Sequence, residues 1–259
     1  MMTPEPTLAD DTEALAAALV CAHATGTRVA CAGLPVPADA SRAMAVQALV
    51  QGRLGLAVGG WKVALGPEQV PIAAPLLDLH TASSKIDLFP GCVIEVELAV
   101  RLGRNLPPRK TGAYERSDIL AAIESVVLGI EVIGGRFDDA ANVPFLSFLA
   151  DHLGNRGYVV GEALPVSTLD MLADMTCAAS LNGDSIHCAP AIHPAGDPLL
   201  PLLAYANRQS DGVGGLQAGQ IVTTGSLCGV LPIRAAGRLK ARLDQIATVS
   251  VDFVARSPA

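Results

Sequence analysis

Two rhythms of apolar and polar positions divide this chain. Residues 8 to 58 carry a helical pattern. Leu8 to His23 is rich in Ala and Leu, with acidic residues in its first turn where they suit the helix dipole. Gly26 to Pro37 is a break. Asp39 to Gly52 then sets Ala43, Met44, Val46, Gln47, Ala48, Leu49 and Val50 on a helical spacing that Gly52 stops. No strand alternation occurs in this stretch. From about Gly59 the pattern becomes strands and turns. Trp61 to Leu65 reads as a strand ended by Gly66-Pro67. Cys92 to Leu102 is the clearest strand, with Ile94, Val96, Leu98 and Val100 on one face and Glu95 and Glu97 on the other. Ser117 can cap a helix from Asp118 to Leu128, striped by Ile119, Ile123, Val126 and Val127. A strand from Gly129 to Ile133 follows. Asp197 and Pro198 open a helix to about Asn207, and Ile221 to Thr224 and Ala247 to Val254 are closing strands. The expected architecture is a mixed α/β (α+β) fold. A helical N-terminal portion (1–58) packs on a β-rich portion (59–259), together one compact unit.

Composition removes several classes. The chain is 51% hydrophobic and 17% charged, the reverse of a disordered segment. Its 18 basic and 25 acidic residues give a net charge of −7 and a pI near 5.2, which argues against a nucleic-acid partner. The mean hydropathy of +0.42 would suit a membrane protein. Yet the longest apolar run, Ala14 to Ala22, has nine residues where a span needs roughly 20. Glu5, Asp10, Asp11 and Glu13 with no early Lys or Arg are unlike a secretory signal, so a cytoplasmic location is expected. Six widely spaced cysteines with no CxxC pair read as free thiols. No GxGxxG or Walker loop calls for a nucleotide.

The candidate chemistry lies in carboxylates. Glu95 and Glu97, at i and i+2 on a strand, leave one face about 7 Å apart, from a rise of ~3.3 Å per residue. Such a pair is either a solvated face or a seat for a cation, and oxygen-only ligands suit Mg²⁺ or Mn²⁺ over zinc. Glu131 lies inside the apolar stretch Leu128 to Ile133, so it is either paired or faces a polar cavity. Lys62, inside another apolar strand, is a snorkelling residue, a fixed cation for a substrate carboxylate, or a proton carrier with a lowered pKa. Asp151-His152 is equivocal, since a lone Asp-His dipeptide is more often a turn than a catalytic dyad.

Several stretches, in one order, carry a resemblance. They are Ala43-Met44-Ala45-Val46-Gln47, Gly60-Trp61-Lys62-Val63-Ala64-Leu65, Ala74-Pro75-Leu76-Leu77-Asp78 and Ile94-Glu95-Val96-Glu97-Leu98-Ala99. Gly129-Ile130-Glu131-Val132-Ile133, Ala150-Asp151-His152, Gly196 to Asn207, and Gly219 to Ser226 follow. Together they resemble the 2-keto-4-pentenoate hydratase / 4-oxalocrotonate decarboxylase branch of the fumarylacetoacetate hydrolase superfamily. The resemblance implies curled mixed β-sheets around a cavity, behind a helical N-terminal portion. It implies Mg²⁺ or Mn²⁺ on Glu95, Glu97 and Glu131, with a 2-oxo acid as the small-molecule substrate. Lys62, Asp151 and His152 would be catalytic, and Leu65, Thr224, Gly225 and Ser226 would bind substrate. The implied reaction is hydration of a 2-hydroxydienoate or 2-oxoalkenoate in aromatic meta-cleavage catabolism. Decarboxylation of a 2-oxo-enedioate is the alternative, and a weakly active partner subunit is another. Carbon–carbon hydrolysis is disfavoured, since the hydrolase branch's His-Glu arrangement is not found. Members of this branch form oligomers, so a homo-oligomer is expected. Two departures stand out: Gly134-Gly135 where hydratases carry Asp-Ser before the Arg, and His152 where they carry Asn.

Overall fold

A computed structural model describes residues 8–255. The acidic start of the chain, with Glu5, lies outside the described residues.

Helix α1 (Leu8–Thr25) and helix α2 (Ala40–Leu54) precede the first strand. Asp39 caps α2 by accepting the Arg42 N–H at 2.8 Å, and Gly55 ends it at φ 64. The apolar faces of both helices, through Leu15, Leu19, Val46 and Val50, bury with Ile72, Ala74, Phe137 and Leu149.

The strands form two sheets. The larger contains β1 (Gly60–Leu65), β2 (Pro71–Leu76), β3 (Leu79–Thr81), β5 (Val93–Leu102), β6 (Ile123–Ile133), β7 (Asn155–Leu164) and β10 (Ile221–Ser226). Their order is β2-β1-β10-β5-β6-β7-β3, with β11 (Leu231–Pro232) beside β5. The smaller has β4 (Lys85–Leu88), β13 (Ala247–Ala255), β12 (Gly237–Leu243), β8 (Thr176–Leu181) and β9 (Asp184–Pro190), in that order. The main core, including Ile94, Val96, Leu98, Val126, Ile130, Leu239, Val251 and Phe253, spans both sheets. Inside it Trp61 is fully buried, its indole N–H held by the Gly215 carbonyl at 3.1 Å and Gln220 at 3.0 Å. Short helices α3 (Arg116–Ala122), α4 (Phe145–Ala150), α5 (Thr168–Met171) and α6 (Leu200–Ala206) fill the connections.

Two helices differ from the sequence expectation. The helix expected over Asp118–Leu128 stops at Ala122, and Ile123 onward is strand. The run from Ile123 pairs with β5, in one register from Arg101↔Ser125 to Val93↔Ile133 and, past a bulge, at Leu102↔Ile123. Ile123, Val126 and Val127 are β-branched, and this pairing outweighs the weak helical stripe. The start also moves: Glu115, not Ser117, precedes the helix, and its N–H donates to Asp118 at 2.9 Å. Helix α6 starts later than Asp197-Pro198 predicts: it begins at Leu200 with Leu199 at its cap position, and Asp197, which accepts the Leu199 N–H at 3.0 Å, lies ahead of the helix without capping it.

Candidate functional site

Two neighbouring strands bring the carboxylates together. Glu95 and Glu131 are direct partners across β5 and β6, and Glu97 stands opposite Gly129. One oxygen from each of Glu95, Glu97 and Glu131 lies within 4.8 Å of the others. Glu97 and Glu131 are fully buried, while the Glu95 side chain is 16% exposed. This is not the solvated face that an antiparallel strand usually presents.

Each carboxylate has a positioning group. The Lys62 ammonium contacts Glu131 Oε2 at 2.6 Å and Glu95 Oε2 at 3.0 Å. Asn155 donates to Glu131 Oε1 at 2.8 Å. The Thr223 hydroxyl donates to Glu97 Oε2. Glu97 Oε1 has no hydrogen-bond partner among the described residues. Burial, with the neighbouring carboxylates, raises the Glu97 and Glu131 pKa values. Burial opposes the Lys62 ammonium, but Glu131, Glu95 and Glu97 outweigh it and raise its pKa. Lys62 is therefore held as a cation, not as the amine with a lowered pKa weighed from sequence.

The other expected residues are more dispersed. A bulge between Thr223 and Ser226 breaks the β10–β5 register and returns Ser226 opposite Glu97. Ser226 donates to the Gly229 carbonyl at 2.7 Å. Thr224 instead meets the His193 ring at 3.2 Å, and Gly225 (φ 149) passes close to that ring. Leu65 ends β1 opposite Pro71, three residues beyond Lys62 and on the alternate side of the strand.

Asp151 and His152 do not form a dyad. Asp151 accepts the Arg136 backbone N–H at 2.6 Å and its guanidinium at 2.9 Å. That ion pair, with Arg136 also donating to the Asn155 carbonyl at 2.9 Å, fixes the turn leading into β7. His152 has φ 55 and is buried, and neither ring nitrogen has a hydrogen-bond partner among the described residues. Its ring stands edge-on to His23, centroids 5.6 Å apart. Burial, then Arg136, lowers the pKa of His152, and burial with Arg136 and Arg156 lowers that of His23 to about 3.

The Gly134-Gly135 departure has a packing cause at its first position. A Cβ on Gly134 would fall 2.1 Å from the Phe89 ring. The same ring carries the Arg156 guanidinium at 4.8 Å, and Arg156 Nε donates to the Gly134 carbonyl at 2.6 Å. Sequence reading missed Asn155 and Thr223, whose roles follow only from strand register. It also missed His23, which α1 brings to His152 from far along the chain.

Three comparisons place this geometry. The family model for the fumarylacetoacetate (FAA) hydrolase C-terminal domain matches residues 64–254. A 2-keto-4-pentenoate hydratase of Burkholderia vietnamiensis is 29% identical over 163 residues, which is 62% of this chain and 60% of that protein. The match thus spans less than two thirds of that relative. A 2-keto-4-pentenoate hydratase 1 of Dechloromonas aromatica is 28% identical over 93% of this chain and 97% of its own. The structure of 4-oxalocrotonate decarboxylase from Pseudomonas putida G7, complexed with magnesium and adipate, shares the fold. Its TM-score is 0.79 at 19% identity, covering 97% of this chain and 100% of that one. With the family model covering most of its length and the curled sheet reproduced, the chain belongs to the fumarylacetoacetate hydrolase family.

Proposed function

We propose that this protein is a metal-dependent lyase, a hydratase that adds water to a 2-hydroxydienoate or 2-oxoalkenoate in aromatic meta-cleavage catabolism. The observation that carries the reading is the convergence of Glu95, Glu97 and Glu131 within 4.8 Å. The residues fit a divalent cation. The donor set is all oxygen, which suits Mg²⁺ or Mn²⁺, and the buried Glu97 Oε1 lacks a partner that a cation would supply. When bound, such an ion supplies Lewis-acid polarisation of the 2-oxo oxygen.

The chain's own residues do the rest. Asn155 and Thr223 orient Glu131 and Glu97, so both carboxylates are fixed before substrate arrives. Lys62 Nζ, already a cation on Glu95 and Glu131, is placed to receive the substrate carboxylate and to hold or pass a proton. Ser226, opposite Glu97 beyond the bulge, offers a hydroxyl with the Gly225 backbone beside it. In this reading Asp151 positions Arg136, and His152 presents a neutral ring rather than a general base. The helical portion 1–58 and the strands that follow act as one unit. We read it as a cytoplasmic homo-oligomer, supported by six free cysteines and by exposed apolar residues such as Ile192 and Val230. Among the described residues, no helix is long and apolar enough to cross a membrane.

The test is turnover of 2-hydroxypenta-2,4-dienoate with Mg²⁺ or Mn²⁺, wild type against Glu97→Gln. The expected outcome is metal-dependent hydration, lost by at least about 10²-fold in the variant. Equal rates would end this reading. Decarboxylation of a 2-oxo-enedioate is the second reading, supported by the name of the structural relative, and carbon dioxide release would select it.

A further inference from the structure

The six cysteines are not equivalent. Cys21 and Cys188 are exposed. Burial pushes the Cys31 thiol up, and the Cys92 thiol up to about 12. Among the described residues, Cys177 and Cys228 alone share a thiol–thiol hydrogen bond, with Cys177 as donor and Cys228 as acceptor.

Topology brings this pair together from the two sheets. Cys177 is fully buried on β8 of the smaller sheet. Cys228 follows β10 of the larger sheet and is partly exposed. Both pack in the core that the sheets share. Cys188, on the neighbouring strand β9, stands opposite Ala178, so its side chain leaves the other face of the sheet from Cys177.

The two sulfurs are held differently. Cys177 sits in a regular ladder, paired with Leu243 on β12 and Ala189 on β9. Cys228 lies in the connection from β10 to β11, between Gly225 (φ 149) and Gly229 (φ 66). Backbone angles of that kind favour glycine, so this connection, and not β8, takes up the movement that closes a bond between the sulfurs. The shared hydrogen bond also divides the roles. It raises the Cys177 thiol, together with burial. The same bond, helped by the Val96 backbone and Ser226, holds the Cys228 thiol down at about 7 against burial. A partly exposed sulfur that ionises near neutral pH is a nucleophile, and a protonated thiol beside it is the group that resolves its oxidised form.

We propose that Cys228 is a modification site for hydroperoxides and that Cys177 resolves it, closing a reversible disulfide between the two sheets. The Cys228 sulfur attacks one oxygen of hydrogen peroxide. An S–O bond forms, the O–O bond breaks, and the leaving hydroxide takes the proton that Cys228 released, giving a sulfenic acid and water. The Cys177 sulfur then attacks the sulfenic sulfur. An S–S bond forms, and the hydroxyl leaves with the Cys177 proton as a second water. Two thiols are oxidised and one peroxide is reduced by two electrons; a dithiol reductant reverses the step. The bond forms beside the carboxylates, because the Cys228 sulfur lies 3.7 Å from the Ser226 hydroxyl and Ser226 stands opposite Glu97. The inference rests on the sulfur pair, and not on the metal or substrate read for the trio.

The test is a disulfide map of the reduced, full-length protein after timed exposure to hydrogen peroxide at pH 7. Catalase stops the reaction, free thiols are alkylated in urea, and peptides from a digest without reductant are read by mass spectrometry. In wild type, the Cys177–Cys228 peptide pair should form at least about tenfold faster than Cys21 or Cys188 is oxidised, and dithiothreitol should remove it. Cys177→Ala should stop at a Cys228 sulfenic acid that dimedone traps. Cys228→Ser should leave Cys177 as an alkylated thiol. Oxidation that begins at Cys21 or Cys188 overturns the inference. So does a Cys228 driven to the sulfinic acid while Cys177 is still a free thiol, or a Cys228 that peroxide leaves unchanged. The wild-type map decides the matter even where a variant fails to fold.

Discussion

At the scale of single residues, the site is a set of buried polar groups whose states are fixed by neighbours. Lys62 is trapped as a cation by Glu95 and Glu131, while His23 and His152 are trapped neutral by burial and arginines. The histidines make stability depend on pH. Their folded pKa values lie below the unfolded value of 6.5, so the folded state refuses protons that the unfolded chain accepts. Their contribution is complete above that value and is lost on acidification, over a range reaching about 3 for His23. Each ring can remove up to roughly 1.4 kcal/mol per pH unit. Urea unfolding of wild type and His152→Asn between about pH 7.5 and 5 checks this. The wild type should lose the more stability, and parallel curves would contradict the assignment. The Glu95–Glu97 pair was legible from sequence because a period-two strand exposes i and i+2 together, whereas only the family resemblance joined Glu131 and Lys62, on other strands, to that pair. Asn155, Thr223 and His23 were not, because register and packing alone bring them in.

At the scale of elements, the site depends on β5, β6 and β10 meeting at fixed offsets. Gly129 shows how tight that fit is. It lies opposite Glu97, and a Cβ there would fall 2.2 Å from the Tyr158 hydroxyl. Gly129→Ala should therefore cost about 1–3 kcal/mol through overpacking, read as a lower unfolding midpoint in urea. An unchanged midpoint would show that Tyr158 can move aside freely. The misread helix belongs to the same scale. Asp118–Leu128 carries a helical stripe, but Ile123 to Leu128 gains a ladder with β5, broken only by a bulge beside Ile123. Local periodicity cannot register a partner strand some 30 residues away. The bulge at Thr224-Gly225 was equally invisible, and it separates Ser226, opposite Glu97, from Thr224, opposite no carboxylate.

At the scale of the whole molecule, helices and sheets share their cores. Leu15 and Val46 of the N-terminal helices bury against Ile72 and Ala74 of β2, and His23 at the end of α1 reaches His152. The fold class was legible because apolar periodicity changes near Gly59, whereas the sheet order was not. If helices and strands form one unit, calorimetric unfolding of metal-free protein should give a single transition with matching van't Hoff and calorimetric enthalpies. Two separated transitions would contradict it. The central claim is that Glu95, Glu97 and Glu131 hold one divalent cation. The most direct measurement is anomalous scattering from a crystal grown with Mn²⁺. The account predicts one manganese peak per chain, bonded by oxygens of all three glutamates at about 2.0–2.3 Å. A manganese-saturated crystal with no peak between those carboxylates, or with its peak elsewhere, would contradict it.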